Sequence, residues 1–208
     1  IYDKAIEMQL HMMDVPEEYG GLGLDHIDQA AIVEQIAWAD AGVAVTLNGN
    51  GLALKPVLLA GNEEQKQYYS SLLQKGYLSS FCLTEPDAGS DSAAVRTTAV
   101  RKGDSYVING TKMFITNASL ASVFLVVATL DPSKGSKGRA TFIVEKDRPG
   151  VTVGKKIEKI GMRLSNTAEV IFDNVEIPAF NLIGTEEGGF ANAMKVLTAS
   201  RPIIAASS

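Results

Sequence analysis

The chain has 208 residues, of which 46% are hydrophobic, enough to build a sizeable buried core. Its formal net charge of -5 would repel the phosphates of a nucleic acid, so we expect no nucleic-acid partner. A single cysteine, Cys82, excludes an internal disulfide and suits a reducing compartment. Two histidines, His11 and His26, without clustered cysteines argue against a metal site, and no apolar run predicts insertion into a membrane.

The first third of the chain is predicted to be helical. A helix is expected over Ile1–Met13, followed by a glycine-rich turn at 19–23 that lacks the flanking strand and helix of a dinucleotide-binding motif. Asp25 is a good N-cap for a long apolar helix, which Pro56 is expected to bend or limit. Asn62 with Gln65 resembles a capping box, and Gly76 should end that helix. We therefore predict a helical domain over 1–77.

The middle of the chain, 78–184, is predicted to be a β-domain. Short apolar runs separated by turn residues give strands near 78–83, 97–101, 106–108, 112–115, 123–130, 140–145, 151–156 and 169–175. The segment 102–105 is a good hairpin turn, and Asn109-Gly110 indicates a second reversal. Because few helical stretches intervene, we expect a mostly antiparallel barrel or sandwich.

Helical character returns over 185–208, after Gly188-Gly189. Phe190, Met194, Leu197 and Arg201 share one face, and Pro202 should kink this helix or remove one hydrogen bond. Both chain ends lie in helical or apolar sequence, so we expect the chain to be part of a longer protein. The predicted class is α+β, with helices, a β-domain and the start of another helix.

Two stretches are candidates for a ligand site. Each is a strand-like run ending in a threonine, at Thr84 and at Thr116, and each then opens into small polar residues. Gly89 would let a ligand approach the backbone, and Ser90 could donate to a phosphate oxygen. A polar loop that simply follows a strand explains the first stretch about as well as a ligand site does. Glu85, Asp87 and Asp91 could be read as a hydrolytic carboxylate pair, although fixing the loop by accepting backbone hydrogen bonds is the better interpretation.

The two stretches also carry a family resemblance. The segment 84–91, Thr-Glu-Pro-Asp-Ala-Gly-Ser-Asp, together with 109–117, Asn-Gly-Thr-Lys-Met-Phe-Ile-Thr-Asn, resembles the FAD-dependent acyl-CoA dehydrogenases. Supporting similarities lie at 16–24, 61–66 and 172–178, in the order of the family and over nearly the whole chain. The resemblance implies a helical domain, a central β-domain and a second helical bundle that is mostly absent here.

The resemblance also implies roles for individual residues. FAD would be bound by Phe81, Cys82, Leu83, Thr84, Gly89, Ser90, Phe114, Ile115 and Thr116. The acyl-CoA substrate would contact Ser90, Thr198, Ser200 and Arg201. From the residues alone, however, Cys82 lies between apolar neighbours and is expected to be an inert core thiol.

The activity implied is α,β-dehydrogenation of an acyl-CoA thioester, with electrons passed to an electron-transfer flavoprotein. No catalytic residue is expected within the chain, because the glutamate base of most members lies in the last bundle and Ser200 occupies the alternative position. A homo-oligomer, dimeric or tetrameric, is implied, in the bacterial cytoplasm or the mitochondrial matrix. Alternatives are an acyl-CoA oxidase or flavin monooxygenase of the same fold, and a non-catalytic scaffold that binds acyl-CoA.

Overall fold

A computed structural model describes all residues, 1–208. The N-terminal part contains the helices α1, Tyr2–Glu7, α2, His26–Ala60, and α3, Glu63–Gln74. The predicted first helix is shorter than expected: Gln9 adopts a positive φ of 58°, and a 3-10 turn over Leu10–Met12 follows. A left-handed residue cannot continue an α-helix, which explains why the helix ends there.

Helix α2 consists of two segments separated at Asp40. The predicted N-cap is confirmed, because Asp25 accepts hydrogen bonds from the backbone N–H groups of Ile27 and Asp28 at 2.8 and 2.9 Å. The backbone break lies at Asp40 (φ −160°, ψ 111°) rather than at Pro56, where a bend was expected. Asp40 accepts a hydrogen bond from the N–H of Val43 at 3.0 Å and so begins the second segment as an N-cap residue does.

By length and apolar composition α2 also qualifies as a membrane-spanning helix, which differs from the expectation that the chain has no apolar run of that length. A buried core helix passes the same test. Its second segment packs on strand β1, Leu78–Cys82, and buries Ala53, Leu54 and Val57 in one apolar cluster. This packing accounts for the apolar character of that segment.

Helix α3 begins with the predicted capping box, which is confirmed. Asn62 Oδ1 accepts from the N–H of Gln65 at 2.8 Å, and Gln65 Oε1 accepts from the N–H of Asn62 at 2.9 Å. The Gln65 amide also donates to Leu182 O at 2.8 Å, which ties the helix to the β-domain. Gly76 follows the helix with a φ of 80°, as expected for a residue that ends it.

The β-domain is one eight-stranded sheet. The other strands are β2 (Thr98–Lys102), β3 (Ser105–Thr116), β4 (Ala121–Thr129), β5 (Arg139–Glu145), β6 (Val151–Val153), β7 (Thr167–Pro178) and β8 (Leu182–Ile183). Their order is β6-β7-β3-β2-β4-β5-β8, with β1 paired to β4. The pairing is mostly antiparallel, as predicted, except that β4 runs parallel to β1 and to β2. The edge strands do not pair with each other, so the sheet is not closed into a barrel.

The predicted reversal at Asn109-Gly110 is wrong. Strand β3 continues through both residues, and the register to β7 shifts between Ile108 and Gly110 instead. Gly110 has a φ of 155°, and a Cβ there would lie 2.4 Å from Thr97 Oγ1. The glycine is therefore required by a bulge and a close approach of two chain segments rather than by a turn. The hairpin between β2 and β3 at 102–105 is confirmed.

The sheet folds over its own apolar core. Phe124 of β4 contacts Phe172 of β7 edge to face, and Tyr106 of β3 packs on Phe142 of β5. Neither pair belongs to neighbouring strands, so the two halves of the sheet face each other like a sandwich.

Helix α4, Gly189–Ala206, returns from β8 and packs against α2. It continues through Pro202 without a residue of non-helical conformation. The end of β1, the end of β3 and the facing surfaces of α2 and α4 are thereby brought to one place.

Candidate functional site

Thr84 and Thr116 meet at one cavity. Thr84 follows β1 and Thr116 is the last residue of β3; the N–H of Met113 donates to Thr84 O at 2.8 Å and joins the two segments. Both residues line a cavity of about 540 Å³ between the sheet and the helices α2 and α4. The predicted convergence of the two threonine-terminated strands is therefore confirmed. Their hydroxyls make no hydrogen bond within the chain, so both are free to bind a ligand.

Most of the residues predicted to bind FAD or substrate line this cavity. They are Phe81, Leu83, Thr84, Gly89, Ser90, Phe114, Ile115, Thr116, Ser200 and Arg201. Cys82 does not: it is fully buried in the core of the sheet, and burial raises the pKa of its thiol to about 12. Thr198 does not either, since it is exposed on α4 and its hydroxyl donates to Met194 O at 3.1 Å.

The helical wall of the cavity was not predicted from the sequence. The second segment of α2 contributes Val45, Asn48, Gly49, Leu52 and Lys55, and a turn in the segment that precedes α2 contributes Asp14. Helix α4 adds Met194, Leu197, Ile203 and Ile204, and the loop after β1 adds Ser92. The spacing of Asn48, Leu52 and Lys55 is the one signal that could have revealed this wall, because residues four and then three positions apart share a helical face.

A buried ion pair holds the loop that carries Gly89 and Ser90. Lys112 Nζ donates to Glu85 Oε1 at 2.7 Å, to Val127 O at 2.7 Å and to Leu83 O at 3.1 Å, and both side chains of the pair are buried. Glu85 also accepts from the N–H groups of Arg96 and Thr97, at 2.7 and 3.0 Å. The loop from Glu85 to Thr97 is thus closed at its base on β3.

The charges of this pair are stabilised by each other. Burial raises the pKa of Glu85, but the charge and hydrogen bond of Lys112 outweigh burial and hold the pKa below its ordinary value. Burial lowers the pKa of Lys112 against the opposing effect of Glu85. Asp91 accepts from the N–H of Ala93, and Asp87 pairs with the Arg96 side chain. The acidic residues therefore fix the loop, as expected, and do not form a hydrolytic pair.

The conformation of Phe114 and the presence of a glycine at position 89 are not explained by the protein's own packing. Phe114 has a φ of 56° at a second irregularity of β3, and 63% of its surface is exposed. A bulky residue with positive φ is strained, and such strain is concentrated at functional sites. Gly89 has no atom within 4 Å of the position of a Cβ and no positive φ. Its missing side chain leaves open space at the cavity.

Two buried asparagines hold α2 against the sheet. Asn117 Nδ2 donates to Thr46 O at 2.8 Å, directly after the cavity-lining Thr116. Asn50 donates to His11 O at 2.7 Å and accepts from the N–H of Ser79 at 2.7 Å. A Cβ on Gly49 would lie 3.4 Å from Thr116 Cγ2, so the helix approaches the end of β3 closely.

The helical wall carries polar groups. Lys55 Nζ lies 3.0 Å from Asp14 Oδ1, and the two side chains are only 18% and 12% exposed. Asn48 Nδ2 is buried without a hydrogen-bond partner. No group of three or more His, Cys, Asp or Glu side chains is arranged to hold a metal ion.

Comparison with known proteins identifies two domains by sequence. Residues 1–76 match the model of the acyl-CoA dehydrogenase N-terminal domain, and residues 80–175 match the acyl-CoA dehydrogenase middle domain. An acyl-CoA dehydrogenase of Bacillus subtilis is 45% identical over 194 residues, which are 92% of this chain and 51% of the relative. The mitochondrial short-chain specific acyl-CoA dehydrogenase of Mus musculus is 43% identical over 95% of this chain and 48% of the relative.

A solved structure agrees with these sequence matches. The butyryl-CoA dehydrogenase of Megasphaera elsdenii superposes with a TM-score of 0.92 and 38% sequence identity, covering 99% of this chain and 55% of that chain. The chain spans about half the length of the curated relatives it matches.

Proposed function

The chain belongs to the acyl-CoA dehydrogenase family, and on that premise we propose that the full-length protein removes the α and β hydrogens of an acyl-CoA thioester with FAD as its cofactor. The observation that carries this proposal is the convergence of Thr84 and Thr116, with unengaged hydroxyls, on one cavity. Members of the family are FAD-dependent. When bound, FAD supplies the acceptor for the hydride that leaves the β-carbon.

The residues at the cavity fit a flat ligand rich in heteroatoms. The hydroxyls of Thr84, Thr116 and Ser90 can donate to ring and phosphate oxygens, and they have no partner within the chain. Phe114 offers an exposed aromatic face, and the open space at Gly89 allows a ligand to approach the backbone. We place the flavin against these residues.

The protein's part in the reaction is to position the thioester and to stabilise charge. The α-proton of a thioester is weakly acidic, so hydrogen-bond donors must meet the charge that develops on the carbonyl oxygen. Asp14 is the one carboxylate that lines the cavity, and it is already paired with Lys55. We therefore place the general base outside residues 1–208. Ser200 and Arg201 line the cavity from α4, and we assign them to binding of the acyl-CoA.

The proposal extends to partners and compartment. We infer that electrons pass to an electron-transfer flavoprotein and that the full-length protein forms a dimer or tetramer. The mouse relative is mitochondrial by name and another relative is bacterial. We accordingly expect the mitochondrial matrix in a eukaryote and the cytoplasm in a bacterium.

The first experiment is to purify the full-length protein and measure its flavin absorbance. The preparation is then mixed with a panel of acyl-CoA thioesters and an artificial electron acceptor without oxygen. We expect a yellow protein that oxidises at least one straight-chain thioester. A colourless protein that binds acyl-CoA would instead identify a scaffold, and rapid reoxidation by air with product bound would identify an oxidase or monooxygenase.

The second experiment tests the two threonines. Thr84→Val and Thr116→Val should each weaken FAD retention about threefold to tenfold, the value of one or two lost hydrogen bonds of about 0.5–1.5 kcal/mol. Thr152→Val, the same change at an exposed position of β6, is the matched control and should retain FAD normally. Equal retention in all three variants would contradict the proposed flavin site.

A further inference from the structure

The wall of the cavity formed by α2 is more polar than a site for an alkyl chain requires. Lys55 is the only charged residue of α2 after Asp40, and it lines the cavity rather than the outer surface of the protein. Asn48 lies seven residues earlier on the same face, about 10 Å along the helix axis between the Cα atoms. The Lys55 ammonium lies nearer to Asn48 than this, because its partner Asp14 is placed against Gly51, three residues from Asn48. Leu52 lies between them. Two residues with nitrogen donors thus line the cavity from one helix, with one aliphatic side chain between them.

The chain makes room for a carboxylate beside Lys55. A Cβ on Gly51 would lie 1.9 Å from Asp14 Oδ2, so Asp14 can occupy this place only because residue 51 has no side chain. Glycine in the middle of a helix is destabilising by about 1 kcal/mol relative to alanine. The position of Asp14 against Lys55 is therefore specified by two separate segments of the sequence.

Stability alone does not account for this arrangement. Replacing a largely buried ion pair by well-packed apolar residues is often neutral or stabilising, because desolvation offsets the attraction of the charges. In addition, Asn48 Nδ2 is a buried donor without a partner, and Asp14 Oδ1 lacks a hydrogen bond of good geometry although Lys55 Nζ is 3.0 Å away. Buried donors and acceptors without partners are unfavourable unless a ligand satisfies them.

We propose that Asn48, Lys55 and Asp14 bind a hydroxyl group on the acyl chain, remote from the thioester, and so select hydroxylated acyl-CoA substrates. This inference rests on the proposed function. A hydroxyl fits the available groups because it accepts from an amide or ammonium N–H and donates to a carboxylate oxygen. A second carboxylate fits less well, since Asp14 already neutralises Lys55 and would repel it.

The test compares two substrates of equal chain length on the full-length holoenzyme. These are hexanoyl-CoA and ω-hydroxyhexanoyl-CoA, and adipoyl-CoA serves as the anionic counterpart. We expect kcat/KM for the hydroxylated thioester to exceed that for hexanoyl-CoA about tenfold, the effect of about 1.4 kcal/mol from hydrogen bonds in a buried site. Adipoyl-CoA should be the poorest of the three. A ratio of one or below for the hydroxylated thioester would overturn the inference.

Variants locate the effect on the α2 wall. Asn48→Leu removes a donor that has no partner in the protein, so the fold loses no hydrogen bond of the Nδ2 group. The ratio of kcat/KM between the hydroxylated thioester and hexanoyl-CoA should fall at least threefold. The double variant Asp14→Asn, Lys55→Met removes the charges together and should also reduce the preference. Gln35→Leu, the same amide-to-aliphatic change at an exposed position of α2, should leave it unchanged. An unaltered preference in Asn48→Leu and in the double variant would show that these groups face other protein segments.

Binding provides a readout that does not depend on turnover. Isothermal titration with the thioether analogues of the two substrates, which cannot be dehydrogenated, should show the same preference in Kd. If neither thioester is oxidised and neither analogue binds, the proposed function fails. If both are oxidised and bound equally well, only the inference about the hydroxyl fails.

Discussion

The substitution Lys112→Met should be among the most destabilising single changes in this chain. In the native protein the Lys112 ammonium makes three hydrogen bonds, to Glu85, Val127 O and Leu83 O, and it is inaccessible to solvent. Methionine has a similar length and no charge, so it fills the space without replacing any of these bonds. The variant leaves Glu85, which is 5% exposed, without its counter-charge.

The expected loss in the free energy of unfolding is about 3–5 kcal/mol, the range for removing one partner of a buried ion pair. With a urea dependence of about 2 kcal/mol per molar, the midpoint of unfolding moves down by about 1.5–2.5 M. The double variant Glu85→Gln, Lys112→Met should recover at least 1 kcal/mol of this loss. Its glutamine carries no charge, and its carbonyl oxygen can still accept from one of the two N–H groups, of Arg96 or of Thr97, which donate to different oxygens of Glu85 in the wild type.

The loss of stability in Lys112→Met should depend on pH. The pKa of Glu85 is lowered in the folded wild type, so its contribution to stability is present above the unfolded pKa of about 4.3 and is lost as pH falls through the folded pKa. In Lys112→Met the folded pKa of Glu85 rises above the unfolded value, because burial, the largest influence, is then opposed only by the hydrogen bonds from Arg96 and Thr97. The variant therefore recovers relative to wild type as the pH falls from 8 to about 5.

Urea unfolding followed by circular dichroism at several pH values measures these differences. Glu176→Gln, an exposed glutamate of β7, is the control for a change in surface charge and should alter stability little. A loss below 1 kcal/mol for Lys112→Met, or a loss independent of pH, would refute the reasoning. So would a double variant whose loss equals or exceeds the sum of the two single losses.

Three other predictions concern separate parts of the protein. Phe114→Gly removes the strain of a φ of 56° at an exposed side chain. The free energy of unfolding should stay the same or rise by up to about 1 kcal/mol, seen as an equal or higher melting temperature, while FAD retention measured by absorbance falls. Cys82 is fully buried and burial raises the pKa of its thiol, so iodoacetamide should label it only after unfolding, as mass spectrometry would show. Asn50→Ala leaves His11 O and the N–H of Ser79 without partners and should lower the free energy of unfolding by about 2–4 kcal/mol in urea titrations.

The sequence predicted the elements well where local chemistry determines them. Asp25 and the pair Asn62 and Gln65 form the expected caps, because a side-chain acceptor near free N–H groups acts locally. The reversal predicted at Asn109-Gly110 was wrong because that prediction also used only the local preference of this dipeptide for a turn. In the structure the neighbouring Thr97 occupies the space of a side chain at 110, a non-local constraint that the sequence does not display.

The site was predictable only in part. The strand ends at Thr84 and Thr116 can be predicted from the change from apolar to polar residues. The wall from α2 cannot be predicted in this way, since residues 41–59 form a mostly small and apolar stretch in which Asn48 and Lys55 are isolated. Which face of a helix meets a sheet depends on long-range contacts such as those of Asn117 with Thr46, and these become visible only in the folded chain.

At both strand ends one residue faces the cavity and the next residue holds the surrounding structure together. In each, a threonine with an unengaged hydroxyl lines the cavity, and the next residue, Glu85 or Asn117, is buried and hydrogen-bonded to another segment. Consecutive residues can divide the two tasks because their side chains leave the backbone in different directions. Asn117 adopts a left-handed conformation with a φ of 66°, and its side chain reaches α2 while that of Thr116 lines the cavity. Substitution of the buried member should therefore reduce stability and ligand binding together, whereas substitution of the threonine should reduce ligand binding alone.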